Sequence, residues 1–207
     1  MKLQVSFDLS DLDKALEVAS AIAPYADIFE IGTLLMYKYG LGAVEGFMKA
    51  FPEKSLLIDT KIVDRGKETV NLFAHKNVSW ITLMAGTHKD NILTTCTAAQ
   101  GAKMKVMLDL LDSNAAGQSA MEAKTMGVHA LLVHRTTNEK ESGNFMEKWE
   151  MIRGNTDLPI FMAGKINRES LPEILALQPD GIVVGSAIIK ADNPAQEAEF
   201  FHNELHK

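Results

Sequence analysis

Short apolar runs recur along this chain at nearly even intervals, with Gly, Asp or Glu near their ends. Eight of them read as strands: Leu3–Asp8, Ile28–Gly32, Ser55–Lys61, Trp80–Met84, Lys105–Leu110, Ala130–His134, Pro159–Ala163 and Gly181–Gly185. Their starts lie 22 to 29 residues apart, room for a loop, a helix and a second loop each time. The intervening segments carry helical patterns. Asp11 and Asp13 open one of them, with Leu12, Leu16, Ala19 and Ala23 expected near a single face. Arg168–Leu175 reads as another, with Pro172 suited to its first turn.

Strands alternating with helices imply parallel pairing through right-handed crossovers. Continuous apolar strands such as Ile160–Ala163 suit a sheet covered on both faces. Eight such units favour a (β/α)8 TIM barrel, one domain spanning 1–207. A doubly wound open sheet is the competitor. The even count, and the lack of a G-x-G-x-x-G after any strand, weigh against it.

Composition narrows the class of protein. The 207 residues are 46% hydrophobic and 23% charged, ordinary for a globular chain, which excludes disordered, collagenous and disulfide-stapled proteins. Cys96 is the only cysteine, so no intrachain disulfide can form. It is expected to be a packed helix residue. The N-terminus reaches Asp8 too soon for a signal-peptide apolar region, and no run of about 18 apolar residues exists to span a membrane. A cytoplasmic location is expected. The balance is 21 basic to 27 acidic residues, with the basic ones scattered, which disfavours nucleic-acid binding. Any bound anion must be held locally, by backbone amides, a metal or a few placed cations.

In such barrels chemistry occupies the C-terminal ends of the strands. Acids gather there: Asp8, Glu30, Asp59, Asp64 and Asp109, joined by Lys61 and His134. Asp59 and Lys61 are two apart on a strand and are expected to share a face. A Lys beside carboxylates stays protonated and can serve as electrophile or general acid. Glu30 and Asp59 are candidate Mg2+ ligands, completed by water and substrate oxygens; a divalent ion there could hold a 1,2-enediolate. The bland alternative is an ion network with Lys61. His134 is a candidate general acid or base. His75, His88, His129, His202 and His206 read as surface or helix positions, with His88 a candidate rim contact. Gly164 and the Gly185-Ser186 pair follow the last two strands, where barrels commonly bind phosphate through backbone N–H groups. Simple turn geometry is the competing explanation.

Asp59-x-Lys61-x-x-Asp64 resembles the D-x-K-x-x-D motif of the orotidine 5′-monophosphate decarboxylase superfamily. Lys2–Asp8 and Asp27-Ile28-Phe29-Glu30-Ile31-Gly32-Thr33 look like one branch of it, containing 3-hexulose-6-phosphate synthase and 3-keto-L-gulonate-6-phosphate decarboxylase. The resemblance runs on through Ile182–Ile188 and Ala191–Ala195, nearly the whole chain. It implies a homodimeric barrel acting on a sugar phosphate. Glu30 and Asp59 would bind Mg2+ (Mn2+ is possible), and Lys61 would hydrogen-bond the enediolate oxygens. Asp64 would enter the site from the neighbouring subunit. Asp8 would support substrate hydroxyls or Lys61, and His134 would transfer a proton at the reacting carbon. The loops at Gly164 and Gly185-Ser186 would hold the phosphate.

Both reactions of that branch pass through an enediolate. In the decarboxylases His-Arg-x-Arg is expected after the sixth strand. His134-Arg135-Thr136-Thr137 keeps the first arginine and lacks the second. The expected function is therefore a synthase-like aldol lyase joining ribulose 5-phosphate and formaldehyde, or splitting their product. The decarboxylase is the alternative, and a non-catalytic sugar-phosphate binder the remaining rival. Two departures from the family pattern stand out. Ala163-Gly164-Lys165 replaces Ala-Gly-Gly, so Lys165 either salt-bridges the phosphate or weakens its site. Arg65-Gly66 stands where Ala-Gly or Gly-Gly is common, placing a charge close to Asp64.

Overall fold

The computed structural model describes residues 1–135 and 139–207; the side chains of 139–144 are not among those described. The elements run β1 (Lys2–Phe7), α1 (Leu12–Ile22), β2 (Ile28–Ile31), α2 (Thr33–Tyr39), α3 (Leu41–Ala50), β3 (Ser55–Ile62), α4 (Gly66–Phe73), β4 (Trp80–Met84) and α5 (Lys89–Gly101). They continue β5 (Lys105–Asp109), α6 (Ala116–Ala123), β6 (Ala130–His134), α7 (Glu139–Gly154), β7 (Ile160–Ala163), α8 (Leu171–Ala176), β8 (Gly181–Val184), α9 (Ser186–Ile189) and α10 (Pro194–Leu205). The strands close in sequence order into a parallel (β/α)8 barrel. No helix among the described residues is long and apolar enough to cross a membrane.

Contacts group the chain into two compact units, Met1–Asp59 with Lys165–Lys207, and Thr60–Gly164. In the first unit β1 pairs with β2 and β8, and β2 with β3; Ser6 stands opposite Glu30, and Glu30 opposite Leu57. Its core is aromatic. Phe7 meets Phe29 edge-on at 5.4 Å and Phe47 at 5.1 Å, and Phe29 meets Phe51 at 5.2 Å. In the second unit β4, β5, β6 and β7 pair in order, with Asp109 opposite Leu132 and His134 opposite Ala163.

Local signals were obeyed where they were strong. The Asp11 side chain caps α1 by accepting from the Lys14 N–H, and Pro172 lies in the first turn of α8. The face of α1 differs from the expected one. Its buried line is Ala15, Val18, Ala19 and Ile22. Leu12 and Leu16 are half-buried and lie against Gly46 of α3. Gly40, at φ +53°, separates α2 from α3, a backbone that suits glycine.

Phe47 is 1% exposed and touches both Phe7 and Phe29. Phe47→Ala should lower unfolding free energy by about 3–5 kcal/mol in urea titrations. A loss under about 1 kcal/mol would mean that this cluster is not the packing centre of its unit.

Candidate active site

Chemistry-bearing side chains collect at strand ends in each unit. In the first, Gln4 and Ser6 alternate along β1 and point the same way as the strand's end at Asp8. Glu30 on β2 accepts from Gln4 Nε2 at 2.5 Å and from Ser6 Oγ at 2.9 Å. Ser6 Oγ also lies 3.2 Å from Asp8 Oδ2. Asp59 on β3 accepts from Thr33 Oγ1 at 2.7 Å, at the first residue of α2. Gly32 must lack a side chain, because a Cβ there would strike the Asp8 carboxylate. Glu30 and Asp59 are buried, and Asp8 is exposed. Burial first, then the charges of Asp59 and Asp8, push the Glu30 carboxyl up to about 8, against the opposing hydrogen bonds of Gln4 and Ser6.

The donor set fits a hard divalent cation. Burial and the neighbouring Asp59 charge disfavour the ionised Glu30 carboxylate, a strain that a bound cation relieves, and Gln4 Oε1 is buried with no hydrogen-bond partner. Among the described residues no group of three or more His, Cys, Asp and Glu is arranged to hold a metal. The protein's share would therefore be the two carboxylates, with water and substrate oxygens completing the shell.

In the second unit Asp109, at the end of β5, is fully buried. It accepts from His134 Nε2 at 3.0 Å, from Lys61 Nζ at 3.4 Å and from the Leu111 N–H at 2.9 Å. Burial alone would raise its carboxyl. The His134 hydrogen bond, followed by the charges of His134 and Lys61 and the Leu111 N–H, outweighs burial and holds it below the usual carboxylate range. With Nε2 turned to a carboxylate, the neutral His134 ring carries its proton there, which leaves Nδ1 to accept one. In the sequence Asp109 is legible only as a strand-end acid. Its signal is a lone charge closing the apolar run Val106-Met107-Leu108.

Lys61 lies near the end of β3 with a left-handed backbone at φ +41°, and its N–H donates to Thr82 Oγ1 at 2.9 Å. Asp64 is exposed in the loop that follows, its Oδ1 accepting from the Arg65 N–H at 2.7 Å.

After β6, the Arg135 N–H donates to the Ala163 carbonyl at 2.7 Å. Gly164, at φ +111°, packs so closely that a Cβ would stand 2.5 Å from the Arg135 carbonyl oxygen. Lys165 is left-handed at φ +49°, the conformation for which a second glycine would be the easier choice. Gly185 precedes α9, its carbonyl accepting from the N–H groups of Ile188 and Ile189, and Ser186 is exposed. Thr136 and Thr137, which bear on the choice between synthase and decarboxylase, lie outside the described residues.

The remaining histidines are mostly peripheral, as expected, but two are built in. His129 Nδ1 accepts from the Val106 N–H at 3.2 Å, and His202 Nδ1 donates to the Tyr25 carbonyl at 2.9 Å. Cys96 is buried on α5, and burial pushes its thiol up to about 11, so it is packing rather than a nucleophile.

A family model described as "Orotidine 5'-phosphate decarboxylase / HUMPS family" matches residues 1–201. The chain belongs to this family. The 3-hexulose-6-phosphate synthase of Bacillus subtilis (strain 168) is 29% identical over 200 residues, covering 96% of this chain and 95% of that protein. A crystal structure of 3-hexulose-6-phosphate synthase from Salmonella typhimurium superposes with a TM-score of 0.89 at 26% identity, over 100% of this chain and 99% of that one. The 3-keto-L-gulonate-6-phosphate decarboxylase of Vibrio cholerae matches with a TM-score of 0.87 at 22% identity, covering 99% and 97%. That likeness speaks for the fold alone.

The charge on Asp109 yields a pH prediction. A carboxyl held below its unfolded value contributes stability that is full above about pH 4 and is lost as the pH falls through the lower folded value. The stability gap between the wild type and Asp109→Asn, read by urea denaturation, should shrink as the pH falls from about 5 to 3. A gap that stays constant across that window would mean the ionised carboxylate adds nothing to stability.

Proposed function

We propose that this chain is a carbon–carbon lyase acting on a sugar phosphate, a 3-hexulose-6-phosphate synthase-like aldolase. The observation that carries the reading is similarity to 3-hexulose-6-phosphate synthases over 96% of the chain. The reaction joins C1 of ribulose 5-phosphate to formaldehyde. A base removes the C1 proton to leave a 1,2-enediolate. C1 of that enediolate attacks the formaldehyde carbon, and the new alkoxide takes up a proton.

The residues suit these steps individually. His134 Nδ1 moves the C1 proton, while Asp109 fixes the ring and offsets the charge of the imidazolium. Lys61, held charged beside Asp109, donates to the enediolate oxygens. Asp8 orients substrate hydroxyls, and Asp64 acts in the site of the neighbouring subunit of a homodimer. Gly164 and Gly185-Ser186 offer backbone N–H groups to the phosphate, and Lys165 and Arg135 add charge to it. Glu30 and Asp59 would hold Mg2+ or Mn2+, which supplies Lewis-acid stabilisation of the developing negative charge.

Decarboxylation of a 3-keto-hexonate 6-phosphate is the second reading, favoured by Arg135 directly after His134. It uses the same enediolate, formed by loss of CO2 and then protonated.

The first measurement is formaldehyde consumption with ribulose 5-phosphate, with Mg2+ and with a chelator. Metal-dependent consumption, reduced by at least about 1,000-fold in Lys61→Ala, is expected. Consumption unaffected by Lys61→Ala would remove that residue's role. No consumption, with CO2 released from 3-keto-L-gulonate 6-phosphate, would establish the second reading instead.

Sharing across the dimer has its own test. Neither Lys61→Ala nor Asp64→Ala homodimers should turn over. Mixed dimers should regain activity, because one of their two sites keeps both wild-type residues. Verified mixed dimers that stay inactive would place Asp64 in its own subunit's site.

A further inference from the structure

The loop that follows β3 is fastened at two points by residues outside the strand ends. Thr87, Asn91 and Thr95 recur every fourth residue, so they line one face of α5 and its entry. Thr87 Oγ1 donates to the Val63 carbonyl at 2.5 Å. Asn91 Oδ1 accepts from the Gly66 N–H at 3.2 Å, and Asn91 Nδ2 donates to Thr87 Oγ1, also at 3.2 Å. Thr95, fully buried, donates to the Asn91 carbonyl at 2.6 Å. It fills the space beside Gly66 so completely that a Cβ there would fall on Thr95 Oγ1.

Asp64 and Arg65 lie between the two fastened points. Arg65 is left-handed at φ +52°, a backbone that a side-chain-bearing residue leaves when nothing holds it. Asp64 is exposed and bonded through Oδ1 to the Arg65 N–H, so the path of the loop decides where its other oxygen points.

We propose that Thr87 and Asn91 are positioning residues for the lyase reaction: linked to each other, they fasten the segment from Val63 to Gly66 and fix the Asp64 carboxylate in its outward place. Neither touches the reacting atoms. The proposal rests on the reading above, in which Asp64 belongs to the catalytic machinery. Its chemistry is ordinary hydrogen bonding in a strained loop, and its effect is on reaction geometry, where a displacement of about 1 Å can cost about 100-fold in rate.

The experiment combines kinetics with amide exchange on the purified full chain. Thr87→Val keeps the side-chain shape and removes the hydroxyl, while Thr87→Ser keeps the hydroxyl. Asn91→Leu removes both amide bonds. Thr87→Val and Asn91→Leu should lower kcat by about 10- to 100-fold with KM for ribulose 5-phosphate within about twofold, and Thr87→Ser should retain the wild-type kcat. Placed on Asp64→Asn, Asn91→Leu should cause little further loss, since the group it positions is already disabled. An equal further loss there would mark general structural damage and overturn the proposal. Exchange of the Gly66 amide should speed up by about tenfold or more in Asn91→Leu. Unchanged exchange would overturn the proposal whatever the activity. A wild-type protein inert toward ribulose 5-phosphate and formaldehyde, with Gly66 exchange accelerated in the variant, would overturn the aldolase reading and leave the fastening intact.

Discussion

A carboxylate removed entirely from water has to find its solvation in the protein, and at Asp109 that requirement organises its surroundings. The group sacrifices several kcal/mol of hydration. Three donors replace the lost water: the ring of His134, the ammonium of Lys61 and the backbone of Leu111. Each is also constrained in return. Lys61 is held by an anion, which favours its charged form. His134 is held with Nε2 as donor, which selects its tautomer. One acid thus sets the state of two groups on neighbouring and more distant strands, and removing it would disturb both before any substrate arrived.

Glu30, a buried acid of the other unit, is treated in the opposite way. Glu30 feels the loss of water and the like charges of Asp59 and Asp8, and the neutral donors Gln4 and Ser6 only partly compensate. Asp109 is held below the ordinary carboxylate range, and Glu30 is driven well above it. Environments that push carboxyl groups in contrary directions are characteristic of assigned chemical roles, because structural packing alone seldom needs both. The ionised acid lies against the His134 ring and the Lys61 ammonium. The destabilised one suits a place where a cation makes up what the protein withholds.

Much of this was legible along the chain, and the reasons differ by element. The strands could be found because short apolar-rich runs recur at nearly even spacing; the observed ends fall within a residue of those expected, with overshoots at Asp8, Gly32, Leu110 and Gly185. The acids could be found because they interrupt apolar runs at their ends. Gln4 and Ser6 carry a signal of their own: with Asp8, just past β1, they mark every second residue, the period of one sheet face. The partners of Asp109 were beyond local pattern. They depend on the pairing of β5 with β6 and on the turn at Lys61, which are properties of the folded chain. On α1 only Ala19 of the expected face belongs to the fully buried line, because Leu12 and Leu16 are half-buried against Gly46.

The left-handed residues other than glycine sort by position, and the sorting separates folding from function. Among the described residues Asn77, Lys103 and Gln178 occupy turns that lead from a helix into β4, β5 and β8. A left-handed residue is the usual way to end a helix, so these three need no further account. Lys61, Arg65 and Lys165 lie instead at or just after the C-terminal ends of β3 and β7. No helix is being ended there, and glycine at each would avoid a cost of about 1–2 kcal/mol. The strain is borne by long cationic side chains at the strand ends where barrel chemistry is found. At Lys61 the compensating bonds are explicit, from its backbone to Thr82 and from its ammonium to Asp109. At Arg65 they come from Thr69, which donates to its carbonyl, and from the Asp64 carboxylate that accepts from its N–H. Glycine would adopt the same backbone at these positions without that cost. Lysine and arginine at these positions keep a cationic side chain where glycine would relax the backbone.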